Sequence, residues 1–253
     1  MNDEKRQPLA EVIRISNLSI SFGDNHVLRE FSMSLHEGEN VVVLGKSGSG
    51  KSVLIKCIMG LLQADSGSIE VMGQEVTKLT DRELDQLRSQ IGFLFQSNAL
   101  YDSMTVRQNL EFPLRRHRRK LSADERNRLV MDALTDVGLP HTVDSMPDEL
   151  SGGMKKRIAL ARALMLKPRI ILYDEPTTGL DPVTAREISA LIVRIQQLYH
   201  TSAIIISHDM NCVRSTANRV VMLVDGKSHC DGSPVELSHS TDTQVKAFFD
   251  IIP

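Results

Sequence analysis

The segment GKSGSGKS, Gly45–Ser52, packs three glycines, three serines and two lysines into eight positions. It satisfies the spacing G-x-x-x-x-G-K-[ST], follows the apolar run NVVVL and leads into SVLIKCIMGLL, whose apolar residues recur at helical spacing. In that context Gly45, Lys46, Ser47, Gly48, Ser49 and Gly50 would wrap backbone N–H groups around a β-phosphate. Lys51 would bring its charge to the β- and γ-phosphates, and Ser52 would offer its hydroxyl to Mg2+. The plainer alternative, a flexible Gly/Ser turn, leaves the flanking strand and helix unexplained.

A second group lies in RIILYDEP. Asp174, at the end of an apolar run, is placed to hold Mg2+ directly or through water. Glu175 follows at what would be the C-terminal edge of a parallel sheet, where ligands bind, and a carboxylate there can accept a proton from an attacking water. The alternative is an exposed acidic pair opening a turn before Pro176.

A third group opens a helix. In LSGGMKKRIALARALML, Leu150–Leu166, Ser151 is a good cap, and Gly152 and Gly153 leave bare N–H groups that favour an anion. With a phosphate loop already upstream, this second phosphate-seeking helix start is surplus within one chain. It makes sense if it closes on the nucleotide of another copy.

LSGGM followed by KKRIALARAL, with GKSGSGKS upstream and DEPTTGLD downstream, resembles the signature pattern of ATP-binding-cassette (ABC) ATPases, over nearly the whole chain. The resemblance implies an α/β fold: a P-loop NTPase core with a mostly parallel sheet, an antiparallel β subdomain and an inserted helical subdomain. The core and β subdomain would cover about 10–95 and 165–253, and the helical subdomain about 96–164. ATP and Mg2+ are the implied cofactors. Phe22 in SISF would stack on adenine, the alternative being a strand core residue. Gln96 in FLFQS would reach Mg2+ and the attacking water, and His208 in IISHD would touch the γ-phosphate. Ser151, Gly152 and Gly153 would grip the γ-phosphate in trans, and Asp181, closing TGLD, would meet the partner's phosphate loop. The implied catalytic set is Glu175, Gln96 and His208, with Ser52, Gln96 and Asp174 at the metal.

Within that group, SGGM and SNALYDSMTV are similar to cassettes that pair with Mce-domain lipid-transport (Mla) systems. That similarity implies a second copy of this chain, a membrane permease, an Mce-domain protein and a small regulatory subunit as partners. It also implies a peripheral place on the cytoplasmic face of the inner membrane. Some such ATPases carry a longer tail that embraces a neighbour. Here the sequence closes on KAFFDIIP, and Phe248, Phe249, Ile251 and Ile252 are expected to pack on their own domain, the alternative being a neighbouring subunit. Two other readings stay open: the ATPase of a different importer, such as one for polar amino acids, and a non-transport ABC ATPase. A degenerate cassette that only binds nucleotide is disfavoured by the intact set Lys51, Gln96, Asp174, Glu175 and His208.

These groups need elements to hold them. EVIRISNLSISF alternates as a half-buried strand does, and GSIEVMGQEV reads as another strand. TDRELDQLRSQ reads as a polar helix with Thr80 and Glu83 as a capping box. SADERNRLVMDALTDVGL and VTAREISALIVRIQQLYH read as helices, TSAIIISHD as a strand, and NRVVMLVDGKSHCDG as a hairpin turning at Asp225–Gly226. Strands alternating with helices at both ends predict a mainly parallel sheet around a strand-poor middle. RRHRRK, Arg115–Lys120, reads as a solvated basic face or, alternatively, a site for an anionic surface.

The 253 residues carry a net charge of −2, which gives no bulk attraction to nucleic acid. Cys57, Cys212 and Cys230 show no metal spacing and read as reduced thiols of a cytoplasmic protein. No secretory signal and no apolar run of spanning length is visible, so membrane work would need another chain to supply the spans.

Overall fold

Two sheets divide the strands, as seen in a computed structural model that describes residues 10–249. In the smaller sheet the alternating segment Glu11–Phe22 (β1) pairs antiparallel with Asn25–His36 (β2) and with Ser66–Val71 (β4). The short strand Gln74–Glu75 (β5) completes the order β2-β1-β4-β5. GSIEVMGQEV is therefore a hairpin and not one strand: Met72 and Gly73 both turn left-handed, at φ 49° and 75°, and reverse the chain.

The larger sheet has the order β10-β9-β3-β8-β7-β6. Its strands are Asn40–Leu44 (β3), Ile91–Leu94 (β6), Ile170–Asp174 (β7), Ser202–Ser207 (β8), Arg219–Val224 (β9) and Lys227–Gly232 (β10). All neighbours are parallel except β9 and β10, which meet antiparallel through Asp225 and Gly226, at φ 48° and 80°. The parallel strands β3, β7, β8 and β9 are mostly apolar because both of their faces are covered. Alternate residues feed two separate cores. Val41, Val43, Leu172, Ile204 and Ile206 face the small sheet and α1 (Lys51–Ile58). Val42, Leu44, Ile171, Tyr173 and Ile205 face the main body of helices.

Those helices are α3 (Val106–His117), α4 (Ala123–Asp136), α5 (Gly152–Leu164), α6 (Pro182–Tyr199) and α7 (Met210–Thr216). The polar helix α2 (Asp81–Arg88) carries the expected Thr80–Glu83 capping box. The short helices α8 (Pro234–Ser238) and α9 (Thr243–Phe249) close the described chain. Phe249 is buried and Phe248 packs beside it on this same core; Ile251 and Ile252 lie outside the described residues. The RRHRRK run ends α3 and enters the loop leading to α4. Arg115 pairs with Glu111 at 2.6 Å, Arg116 with Asp85 at 2.7 Å, and Arg118 donates to the Leu166 carbonyl at 3.1 Å. Half of the run is thus engaged by its own protein.

The starts of α5 and α6 touch. A Cβ added at Gly153 would lie 2.5 Å from Thr184 Cγ2, and Thr184 is held in place by its hydroxyl bond to Asp181. Overpacking of this kind costs about 1–3 kcal/mol. Gly153→Ala should therefore unfold at lower urea than the wild type. Thr184→Ser keeps the hydroxyl and deletes the clashing methyl, so the double variant should regain about 1–2 kcal/mol. Equal stability of the single and double variants would show that the contact does not constrain this junction.

Candidate active site

Register decides what meets at the edge of the large sheet. Leu44 lies opposite Ser207, and Asp174 opposite Ile206, so β3, β7 and β8 end together. The residues that leave the sheet there are Gly45, Glu175 and His208. The loop Gly45–Gly50 then turns into α1. Gly45 has no room for a side chain: a Cβ would lie 2.7 Å from the Leu223 carbonyl oxygen. Gly50, at φ 102°, would drive one to 2.7 Å from Val27 Cγ1. The second contact brings the β1–β2 end of the small sheet against the loop. Phe22, paired there with Asn25, is half exposed and does not belong to the strand core.

Lys51 is buried. Its ammonium donates to the carbonyl oxygens of Gly45 (2.8 Å) and Lys46 (2.9 Å), and lies 3.6 Å from Glu175 Oε1. Burial pushes its pKa below the ordinary lysine range, against the pull of the Glu175 charge. Ser52 Oγ donates to Asp174 Oδ1 at 3.0 Å. Burial raises the Asp174 pKa, the Ser52 bond opposes the rise, and the Glu175 charge adds to it. Glu175 is 8% exposed and left-handed at φ 49°. A non-glycine residue held this way stores about 1–3 kcal/mol, and such strain gathers at functional sites. Its N–H donates to the Ile206 carbonyl at 3.0 Å, and its carboxylate accepts from Thr178 Oγ1 at 3.2 Å and from His208 Nδ1 at 2.9 Å. The His208 ring is otherwise half exposed.

Lys51, Ser52, Asp174, Glu175 and His208 thus converge. Gln96, just past β6, is exposed; its backbone carbonyl, not its side chain, is held, by Lys156 Nζ at 2.9 Å. Ser151 caps α5 by accepting from Met154 N at 3.2 Å, and Ser151 and Gly152 are exposed. Asp181 caps α6, accepting from Val183 N and Thr184 N at 3.0 Å; the Thr184 hydroxyl and these N–H groups hold its carboxyl below the usual range. No hydrogen bond or ion pair among the described residues joins Ser151, Gly152 or Asp181 to this chain's own Gly45–Ser52 loop. Thr178, which steadies Glu175, and the buried Lys156 escaped the sequence reading. The Thr pair of DEPTTGLD was the available signal for the first.

The donor set fits a nucleotide with its Mg2+. Ser49 Oγ is buried without a hydrogen-bond partner among the described residues, inside a loop whose helix start leaves N–H groups open. No cluster of three or more His, Cys, Asp or Glu able to hold a metal occurs among the described residues. One carboxylate and one hydroxyl, Asp174 and Ser52, suit Mg2+, which takes few protein ligands and completes its shell with phosphate oxygens and water.

The ABC transporter family matches residues 28–178. The "Probable ribonucleotide transport ATP-binding protein mkl" of Mycobacterium leprae is 40% identical over 218 residues, 86% of this chain and 62% of its own length. This chain therefore spans about three fifths of that relative. The "Intermembrane phospholipid transport system ATP-binding protein MlaF" of Haemophilus influenzae is 36% identical over 237 residues, 94% of this chain and 89% of its own. Among solved structures, a dimeric ATP-binding cassette bound to ADP and Pi in a post-hydrolysis state is similar at TM-score 0.79 and 31% identity, covering 87% of this chain and 98% of that one. With the matched segment running from within β2 to the turn after Glu175, the chain belongs to the ABC transporter family and carries its ATP-binding domain.

Proposed function

We propose that this chain hydrolyses ATP to drive a membrane transporter, that two copies clasp two nucleotides between them, and that the cargo is phospholipid. The observation that carries the ATPase reading is the buried Glu175 carboxylate, held between the Lys51 ammonium and the His208 imidazole. An arriving triphosphate offers Lys51 oxygens that outcompete its neutral carbonyl partners, and the lysine turns to the β- and γ-phosphates. Glu175 is then free to take a proton from water, oriented by the Thr178 hydroxyl. His208, half exposed beside it, reaches the γ-phosphate, and Gln96 orders the water from the mouth of the site. Phe22 gives the adenine a flat apolar face. Mg2+ held by Ser52 and Asp174 supplies neutralisation of phosphate charge.

The exposed helix starts at Ser151–Gly153 and Asp181 point to a composite site. At the first, Gly152 and Gly153 offer the bare N–H groups of an anion grip; at the second, the Asp181 carboxylate caps its own helix; neither start is bonded to its own loop. Each would complete the pocket of the other copy, and ATP bound across that interface stabilises the closed pair by mass action. Opening and closing would pull on a permease; no described helix is long and apolar enough to cross a membrane. Lipid as cargo is supported by the match to MlaF over nearly the whole chain and by the SNALYDSMTV segment. An Mce-domain protein and a small regulatory subunit belong to that reading. The match to mkl, whose name assigns it ribonucleotide transport, supports the alternative of a polar cargo.

Glu175→Gln should still bind ATP while turnover falls by about 10²–10⁴-fold; near-wild-type turnover in the purified complex would remove Glu175 from the base role. In mixed pairs carrying Ser151→Arg in one copy and Lys51→Ala in the other, both lesions should fall on one nucleotide, leaving the second site intact. Damage to both sites would contradict sharing across the interface. Purification of the native complex through a tag on this chain should bring down a permease, an Mce-domain protein and phospholipid. A solute-binding protein in their place would assign the complex to import of a polar solute.

A further inference from the structure

Helix α5 does more than present Ser151–Gly153. From its buried side it holds the loop that follows β6, by two cations and three backbone carbonyls. Lys156, 2% exposed, donates to the Gln96 carbonyl at 2.9 Å. Arg162 spreads its fork over the next part of the loop, Nη1 to the Ala99 carbonyl at 2.7 Å and Nη2 to the Asn98 carbonyl at 3.2 Å. The loop is not relaxed under this grip. Asn98 and Ala99 are both left-handed, at φ 65° and 52°. Two consecutive non-glycine residues in that region cost about 1–3 kcal/mol each and persist only where their surroundings dictate them. A lysine is likewise kept buried only where a partner requires it. Beyond the loop, Asn109 fixes Tyr101 from the other side, accepting from its N–H at 2.8 Å and donating to its carbonyl at 3.1 Å.

The clamp takes the backbone of Gln96 and leaves its side chain exposed. It therefore sets where that side chain starts from without occupying it. Lys156 lies five residues from Ser151 along one helix, about 7 Å of rigid rise. A shift of the serine–diglycine turn is carried to the loop with little loss, because interdigitated helix cores transmit displacement and do not absorb it.

We propose that Lys156 and Arg162 are positioning residues that make α5 and the Gln96 loop one rigid body, so that engagement of the turn on the partner's nucleotide sets Gln96 over this chain's own. The inference rests on the composite site proposed above. Each chain's α5 then links the two nucleotides, and hydrolysis at one site senses occupancy of the other.

The test is the ATP dependence of hydrolysis by Lys156→Met in the native membrane complex, with binding of a fluorescent ATP analogue to the full chain measured alongside. Analogue binding should be unchanged, since Lys156 does not belong to the phosphate loop. The kcat should fall by about 10²-fold, the loss expected when a reacting group is misplaced by an ångström. The Hill coefficient should drop to about 1 from a wild-type value of up to about 2, the limit for two coupled sites. Arg162→Met, acting on the other end of the loop, should give the same signature. A wild-type Hill coefficient in either variant that keeps the wild-type melting transition overturns the clamp. Loss of that transition in both variants also overturns it, because the two cations would then be structural alone. A non-cooperative wild type, with Ser151→Arg harmless to the partner's site, would instead remove the composite site itself.

Discussion

The parallel register of β3, β7 and β8 is the constraint on which the site depends. With Leu44 opposite Ser207 and Asp174 opposite Ile206, three unrelated stretches of sequence leave the sheet at the same height. A slip of one residue would displace a strand by about 3.3 Å and turn its side chains to the opposite face. The 2.9 Å contact between His208 and Glu175 and the 3.0 Å bond between Ser52 and Asp174 have no such slack. Two apolar cores, one on each face, make the slip prohibitive, because every displaced strand would bury its residues in the wrong cluster.

Around that edge the charges are arranged in mutual compromise. Lys51 rests against Glu175 and two carbonyls, and Asp174 against a serine hydroxyl. Burial makes the lysine's charge harder to keep and the aspartate's likewise. A triphosphate and a divalent cation answer both deficits at once, the anion beside the lysine and the cation beside the aspartate. The same elements that leave these groups wanting partners also exclude the water that would satisfy them, which is what makes electrostatic contacts there strong.

Legibility in the sequence followed how local each signal is. The Gly45–Ser52 loop and the Ser151 helix start are written in contiguous residues, because glycine freedom and capping act over a few positions. The buried strands were legible as short apolar runs. Helix α3 was not assigned, although Thr105 and Gln108 form a capping box at its start and Val106, Leu110 and Leu114 recur every fourth residue; Pro113 and the basic run obscured the period. Partners set by the fold were out of reach. Arg116 meets Asp85 and Arg118 meets Leu166, and neither pairing leaves a trace at either position. Lys156 sits in KKR like any solvated lysine, and only packing reveals that one of these cations is inside.

The odd–even division of the large sheet has a bearing on how such a protein can change. Val41 and Val43 answer to the small sheet beside Phe22, whereas Val42 and Leu44 answer to the helices, among them α5, which starts at Ser151 and holds the Gln96 loop. Adjacent codons thus serve separate compartments. The side that would meet the purine base and the side that would meet other subunits can drift under different pressures, with the catalytic edge between them as their one shared margin.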